Sequence, residues 1–382
     1  MRVLFDDEAF NQPFGGVSKY FAEMIRNLPA DCEPFVCQKT TQNLYLQEPP
    51  FSYPKATHTQ WNFCPWLKMR GKWVLYRFLA QTLHVIPSCE YENHRYFIRK
   101  LNEGAFDILH LTNPHVYTFD WVRLVGKKPI VMTIHDLIPD MDSRNKKIRR
   151  NRARALRYAD RVISVSRNTK NDLVRLYDVD PDKISVIYHG ADEIYDTRQH
   201  RGPFAGIRYL LYVGGRRGYK NFDFFSKAIV PLLRRSEDFH LVCTGSVLSE
   251  SELALFRASG VEKRIHSLYV APEDMQALYS EAFAFIYPSR YEGFGIPILD
   301  AFKAGCPVIL SRCSCFPEVG GDAALYFDVT SGDDLRNQIY RLINEGGLRE
   351  KMVNRGRNRV QDFTWLRCAE ETARVYREVV QK

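Results

Sequence analysis

Short apolar runs separated by amphipathic stretches recur along nearly the whole chain, and this alternation limits its fold more than any other feature. Runs that are almost continuously apolar suit strands buried on both faces. Their alternation with helices calls for parallel sheets. In the first half, strands are expected at Arg2–Asp6, Asp107–Thr112, Ile130–His135, Arg161–Ser166 and Lys183–His189. The pattern breaks between Asp192 and Tyr209, where the polar run from Asp196 to Pro203 ends in turn residues and reads as a linker. A second cycle follows, with strands expected at Tyr209–Gly214, His240–Gly245, His266–Val270, Phe283–Pro288 and Pro307–Ser311. Arg341 to Lys382 reads as helix almost throughout. The expected fold class is therefore α/β: two Rossmann-like doubly wound domains, residues 1–195 and 206–362, facing each other across a cleft. A C-terminal helix at 363–382 is expected to pack back toward the first domain. In such folds ligands bind at the carboxyl ends of the strands.

The remaining composition narrows the setting. A length of 382 residues suits two or three domains. No stretch of 18 consecutive apolar residues occurs, which excludes a transmembrane helix. The N-terminus reaches Asp6 after three apolar residues, which is no secretory signal, so a cytoplasmic location is expected. Nine cysteines, with Cys313 and Cys315 one residue apart and no second pair to match, suit reduced thiols and no metal site.

Charge is distributed unevenly. From Phe51 to Arg157 there are 19 Lys and Arg against 8 Asp and Glu, whereas the remainder has 35 against 37. Arg144, Lys146, Lys147, Arg149, Arg150, Arg152, Arg154 and Arg157 fall within fourteen residues. Upstream, Trp61, Phe63, Trp66, Trp73, Tyr76 and Phe78 are interleaved with Lys68, Arg70, Lys72 and Arg77. Aromatics mixed with cations suit peripheral docking on an anionic membrane surface; a solvated helix face beside core aromatics is the plain alternative. No nucleic-acid motif accompanies the charge, so no nucleic-acid partner is expected.

Two loops of the second half carry chemistry. Tyr287-Pro288-Ser289-Arg290-Tyr291-Glu292-Gly293-Phe294-Gly295-Ile296-Pro297 takes a buried strand through a glycine turn into a helix. Pro297 suits a first helical turn, and the amides of Phe294, Gly295 and Ile296 would then offer an anion site. Glu292 precedes the turn and Asp300 follows eight residues later, where a carboxylate can accept hydrogen bonds from a ribose diol. The second loop, Gly214-Gly215-Arg216-Arg217-Gly218-Tyr219-Lys220, offers a guanidinium fork at Arg216 and a point charge at Lys220 for a diphosphate. In the first half, Gly15 and Gly16 open a helix and could admit a sugar or pyrophosphate, with an ordinary tight turn as the alternative. Neither a dinucleotide-binding GxGxxG nor a P-loop is present. His135 stands at a carboxyl strand end, whereas His110 and His189 are expected to be structural. Asp140-Met141-Asp142 has a spacing that can hold a metal. Asp178-Val179-Asp180-Pro181-Asp182 is explained by a turn.

In chain order, the glycine pair, His135, the Arg216/Lys220 loop and the Glu292–Asp300 element resemble family 4 of the GT-B glycosyltransferases over nearly the whole chain. Asp300 departs from the Glu usual at that position, which keeps the charge and shortens the reach by one methylene. The resemblance implies that Arg216 and Lys220, with the amides of Phe294, Gly295 and Ile296, neutralise the donor diphosphate. Asp300 would hold the ribose and the backbone near Val270 the base. Glu292 and His135 would contact the sugar. It implies a retaining hexosyltransferase, metal-independent and without cofactor. The enzyme would move a hexose such as mannose from a nucleotide-diphosphate sugar to a glycan or lipid-linked acceptor in surface polysaccharide synthesis. Other readings are a sugar-nucleotide epimerase or phosphorylase on the same fold, or a non-catalytic nucleotide-sugar or membrane-surface binding module.

Overall fold

The computed structural model describes residues 1–57, 59, 72–79, 88–113, 125–142, 144–192, 202–271 and 274–381, the side chains of Trp73 and Arg77 excepted. The expected linker residues 196–201 lie outside these, as do Trp61, Phe63, Trp66, Lys68 and Arg70. The chain divides into two units. The first holds Met1–Val165, Thr169–Tyr188 and Trp365–Lys382; the second holds Ser166–Asn168 and His189–Thr364.

The first unit is built on a parallel sheet of β1 (Arg2–Phe5), β2 (Glu33–Val36), β3 (Ile108–Leu111), β4 (Ile130–Ile134), β5 (Arg161–Ser164) and β6 (Ile184–Val186), ordered β2-β1-β3-β4-β5-β6. Side chains alternate across it. Val3 and Phe5 join Tyr20, Phe21, Trp365 and Tyr376 on one face, while Leu4 joins Phe97, Leu109, Leu111 and Met132 on the other. Two buried faces explain the unbroken apolar runs. The strands stop one to three residues short of their expected ends, because Asp6, Thr112 and His135 leave the ladder to form the loops at its carboxyl edge. β2 escaped the sequence reading. It is an edge strand with three of four residues exposed and Pro34 inside it, which an edge tolerates because the missing N–H costs no ladder bond.

The helix Trp365–Val380 packs within this first unit. It buries Trp365, Cys368, Ala369, Thr372, Ala373, Tyr376 and Val379, an apolar stripe at helical spacing. Arg377 grips Asp31 with two hydrogen bonds of 2.8 Å, and the Tyr376 hydroxyl meets His110 Nδ1.

The second unit repeats the architecture with β7 (Arg208–Tyr212), β8 (Phe239–Thr244), β9 (Ile265–Leu268), β10 (Ala284–Tyr287), β11 (Val308–Ser311) and β12 (Ala324–Phe327), ordered β12-β11-β10-β7-β8-β9 and parallel throughout. β12 is a second edge strand absent from the sequence reading. Chain progression runs outward from β7 through β8 and β9, and from β10 through β11 and β12 on the other side. The sheet therefore reverses direction between β7 and β10, and the loops after those two strands flank that switch point.

The basic stretch forms the helix Lys146–Tyr158. Lys146, Lys147, Arg149, Arg150, Arg154 and Arg157 are exposed on it, but Arg152 is buried, which removes it from the expected membrane-facing set. Tyr76 is likewise no interfacial aromatic: it is buried and donates to Glu90 at 2.8 Å. Asp140 and Asp142 have separate ion-pair partners, Asp140 with Arg152 at 2.9 Å and Asp142 with Arg144 at 2.8 Å. Eight cysteines, at 32, 37, 89, 243, 306, 313, 315 and 368, are free thiols. Among the described residues no helix is long and apolar enough to cross a membrane.

Candidate active site

The two chemistry-bearing loops of the second unit are stitched together at the switch point. The loop after β7 turns through Gly214 (φ +103°) and Gly218 (φ +59°), left-handed conformations that favour glycine. The Tyr212 hydroxyl donates to the Gly215 carbonyl at 2.7 Å. Asn221, itself left-handed, donates its side-chain amide to the Pro288 carbonyl at 3.2 Å, and the Arg290 amide donates to the Tyr219 carbonyl at 2.8 Å. Both bonds run from one loop to the other.

That stitching brings Lys220 and Glu292 together. Lys220 Nζ lies 2.7 Å from Glu292 Oε1 and 3.3 Å from the Tyr287 hydroxyl, with the two charged side chains only 18% and 11% exposed. Glu292 is held from behind. Its amide donates to Ser314 Oγ at 3.3 Å, and its carbonyl accepts from the Ser314 hydroxyl at 2.6 Å and the Cys315 thiol at 3.3 Å. Burial, then the Glu292 charge, pushes the Tyr287 phenol well above its ordinary pKa, so it stays protonated beside the pair.

The turn into the helix Ile296–Lys303 needs Gly295. Its φ is +90°, and a Cβ there would stand 3.0 Å from Ile298 Cδ1 and 3.1 Å from Phe316 Cε1. Phe294 is buried, stacked on His189 at 4.6 Å, so its side chain is packing and only its amide is available as a ligand group. Ile296 opens the helix with Pro297 behind it, leaving first-turn amides without intrahelical acceptors. Asp300 lies half-buried one turn on, near enough to Tyr279 to add to the effect of burial in raising that phenol's pKa. Val270 is half-buried just beyond β9, beside the exposed Tyr269.

Arg216 is placed differently from Lys220. Its guanidinium is buried, with Nε 2.9 Å from Glu252 Oε1 and Nη2 donating to the Val247 carbonyl at 2.9 Å and Ser246 Oγ at 3.3 Å. Glu252 also completes a capping box with Ser249. Burial opposes its ionisation, but the Arg216 and Ser249 hydrogen bonds outweigh it and hold the carboxyl below its usual range. The Ser-x-x-Glu spacing was readable in the sequence as a helix start. Its pairing with Arg216 was not, and neither were the supporting roles of Tyr212, Tyr287 and Ser314.

In the first unit, His135 follows β4 and packs edge-on against Tyr20 at 4.8 Å and Phe21 at 5.6 Å, from the helix Gly16–Arg26 that the glycine pair opens. The fold thus joins Gly15, Gly16 and His135 locally. Burial, then the charge of Arg152, lowers the imidazole's pKa to about 3. Gly15 is extended at φ 166°, and a Cβ there would be no nearer than 3.6 Å to Gln12 Oε1. Its backbone does not itself require glycine. His110 is internal, bonded to Thr133 Oγ1 at 2.9 Å and to Tyr376. At the end of β1, burial drives the Asp6 carboxyl up to about 7 against hydrogen bonds from Thr112.

A family model described as Glycosyl transferases group 1 matches residues 196–359, and one described as Glycosyltransferase Family 4 matches residues 14–193. The chain belongs to glycosyltransferase family 4. This glycosyltransferase is 25% identical to O-antigen chain mannosyltransferase B of Escherichia coli, over 99% of its own length and 100% of that protein. It is 29% identical to O-antigen chain mannosyltransferase RfbU of Salmonella typhimurium, over 56% of its length and 65% of that protein. Among solved structures it is similar to Anabaena HepE in complex with UDP and glucose, with a TM-score of 0.70, 16% identity and coverage of 99% and 100% of the two chains. That likeness gives the fold, GT-B, with its two Rossmann-like domains.

Proposed function

We propose that this glycosyltransferase is a retaining hexosyltransferase of surface polysaccharide synthesis, moving mannose from a nucleotide-diphosphate donor to a glycan or lipid-linked acceptor. The observation that carries the reading is the Lys220–Glu292 pair, set by two mutually bonded loops at the switch point of the second sheet. The full-length similarity to a mannosyltransferase supports the choice of sugar.

In the reaction the bond from the anomeric carbon to the β-phosphate oxygen breaks, and its electron pair leaves with the diphosphate. The acceptor oxygen bonds to the same carbon on the same face and passes its proton to the departing phosphate. Negative charge grows on the diphosphate, so fixed positive groups there lower the barrier. Lys220 supplies an ammonium and the amides of Phe294, Gly295 and Ile296 supply donors at a helix start. Arg216 has Nε and Nη2 occupied by its own loop contacts, so it meets a phosphate oxygen through Nη1. With this charge in place no metal ion is required. Asp300 takes the ribose diol and the backbone at Val270 the base. Glu292 and His135 contact sugar hydroxyls, the latter as a neutral imidazole, and Gly15 and Gly16 admit the donor. The exposed cations of the helix Lys146–Tyr158 support docking on an anionic membrane surface.

Thermal shift against GDP, UDP, ADP and dTDP sugars identifies the donor, because a ligand that binds only the native state raises its melting temperature. With that donor, Lys220→Met is expected to lower kcat by about 10²–10³-fold. NMR of the product should show the donor's anomeric configuration, and EDTA should leave the rate unchanged. Full activity in Lys220→Met, or an inverted product, overturns the reading.

A further inference from the structure

Arg152 belongs by sequence to a run of surface cations, yet it points inward. Its guanidinium Nη1 lies 2.9 Å from Asp140 Oδ2, with side chains 4% and 1% exposed, and donates to the Asp136 carbonyl at 2.7 Å. The Tyr177 hydroxyl donates to the other Asp140 oxygen. Around that carbonyl the chain is tightly tied. The Ile138 amide donates to Asp136 Oδ1 at 2.9 Å, the Asp140 amide to the Leu137 carbonyl at 3.0 Å, and Asn145 to the Pro139 carbonyl at 2.8 Å. Leu137 is fully buried. The segment clasped in this way begins with His135.

A buried ion pair is a poor device for stability alone, since apolar replacement of both partners is often neutral or stabilising. Orienting a neighbouring group is a use that apolar packing would not replace. We propose that Arg152 is a positioning residue for His135: by holding the Asp136 carbonyl it sets the imidazole against Tyr20 and Phe21 and keeps a fixed positive charge behind it. The inference rests on the role given to His135 above. Groups near the ring include Tyr20 and Phe21 from the first helix, His110 on β3 and Arg152, with Asp140 and Tyr177 beyond the guanidinium. Burial and the Arg152 charge together keep the ring neutral, able to accept a hydrogen bond from a sugar hydroxyl.

The test uses Arg152→Met/Asp140→Leu, which removes both charges together and takes their hydrogen bonds from the Asp136 carbonyl and the Tyr177 hydroxyl, and Arg152→Lys, which keeps the charge but loses the planar fork. Imidazole NMR of the full chain follows the His135 titration, and steady-state kinetics separate kcat from donor KM. The double variant is expected to titrate His135 at higher pH than wild type, to move the acid limb of the pH–kcat profile upward, and to lose at least tenfold in kcat with donor KM within twofold. Arg152→Lys should retain the low titration of His135 while kcat falls, and it carries the test if the double variant does not fold. A folded double variant with unchanged kcat and unchanged His135 titration overturns the proposal, as does an Arg152→Lys protein with wild-type kcat. His135→Ala is the separate control: full activity there removes the catalytic reading of His135, while the titration still reports whether Arg152 holds the ring.

Discussion

Lys220 and Glu292 are 72 residues apart in the chain and 2.7 Å apart in the fold, and each was recognisable on its own from the loop that carries it. What the loops could not disclose was which cation faces which acid. Arg216, the stronger phosphate ligand on chemical grounds, is engaged by Glu252, and Lys220 by Glu292. Histidines show the same division. His110 is fully buried and His135 half-buried, and both are neutral, with pKa values lowered to about 3, by desolvation first in each case. An unfolded histidine titrates near 6.5. As pH falls from about 6.5 toward 3 the unfolded chain therefore binds protons that the folded chain refuses, and stability is lost across that window. His110→Gln is expected to melt lower than wild type at pH 7 but to lose less stability between pH 6.5 and 4. Scanning calorimetry checks this, and an equal or steeper loss counts against a buried neutral His110.

Elements were more legible than partners. Ten strands were readable from their largely apolar runs, whereas β2, an edge strand with three of four residues exposed, lacks that signature; β12 is apolar and mostly buried, so its run was legible and was missed. The helix Lys146–Tyr158 shows how far a pattern can be read. Ile148, Arg152, Ala155 and Leu156 fall on one stripe at helical spacing, so the position of Arg152 inside the stripe was available in the sequence, although a count of charges concealed it. The opposite face holds six exposed cations and the helix contains no acidic residue. Near an anionic leaflet each such cation contributes roughly 1 kcal/mol. Reversing Lys146, Lys147, Arg149 and Arg150 to Glu is expected to abolish co-sedimentation with vesicles containing phosphatidylglycerol while leaving the melting temperature nearly unchanged. Undiminished binding rejects the docking face.

At the scale of the whole molecule the chain leaves the first unit after Tyr188 and returns to it at Trp365. The returning helix covers the sheet face formed by Val3, Phe5, Ile108 and Val131, and its Tyr376 reaches His110 in β3. Ending the chain at Thr364 would expose that face to water, and exposed apolar patches of this size promote association. The truncated protein is expected to aggregate, with limited proteolysis digesting the first unit and sparing the second. A monomeric product with an intact first unit would show that the helix is dispensable.

By itself the sequence determined two α/β units, the strands buried on both faces, and the loops in which glycines, cations and carboxylates converge. These follow from local periodicity and from the conformations particular residues permit, which act over a few positions. Only the tertiary structure decided that Arg152 pairs with Asp140, that Arg216 meets Glu252, that Lys220 meets Glu292, and that the last helix completes the first core. Each of those outcomes depends on which surfaces are desolvated together and on which charge lies nearest once they are, and neither quantity is defined until distant segments have packed.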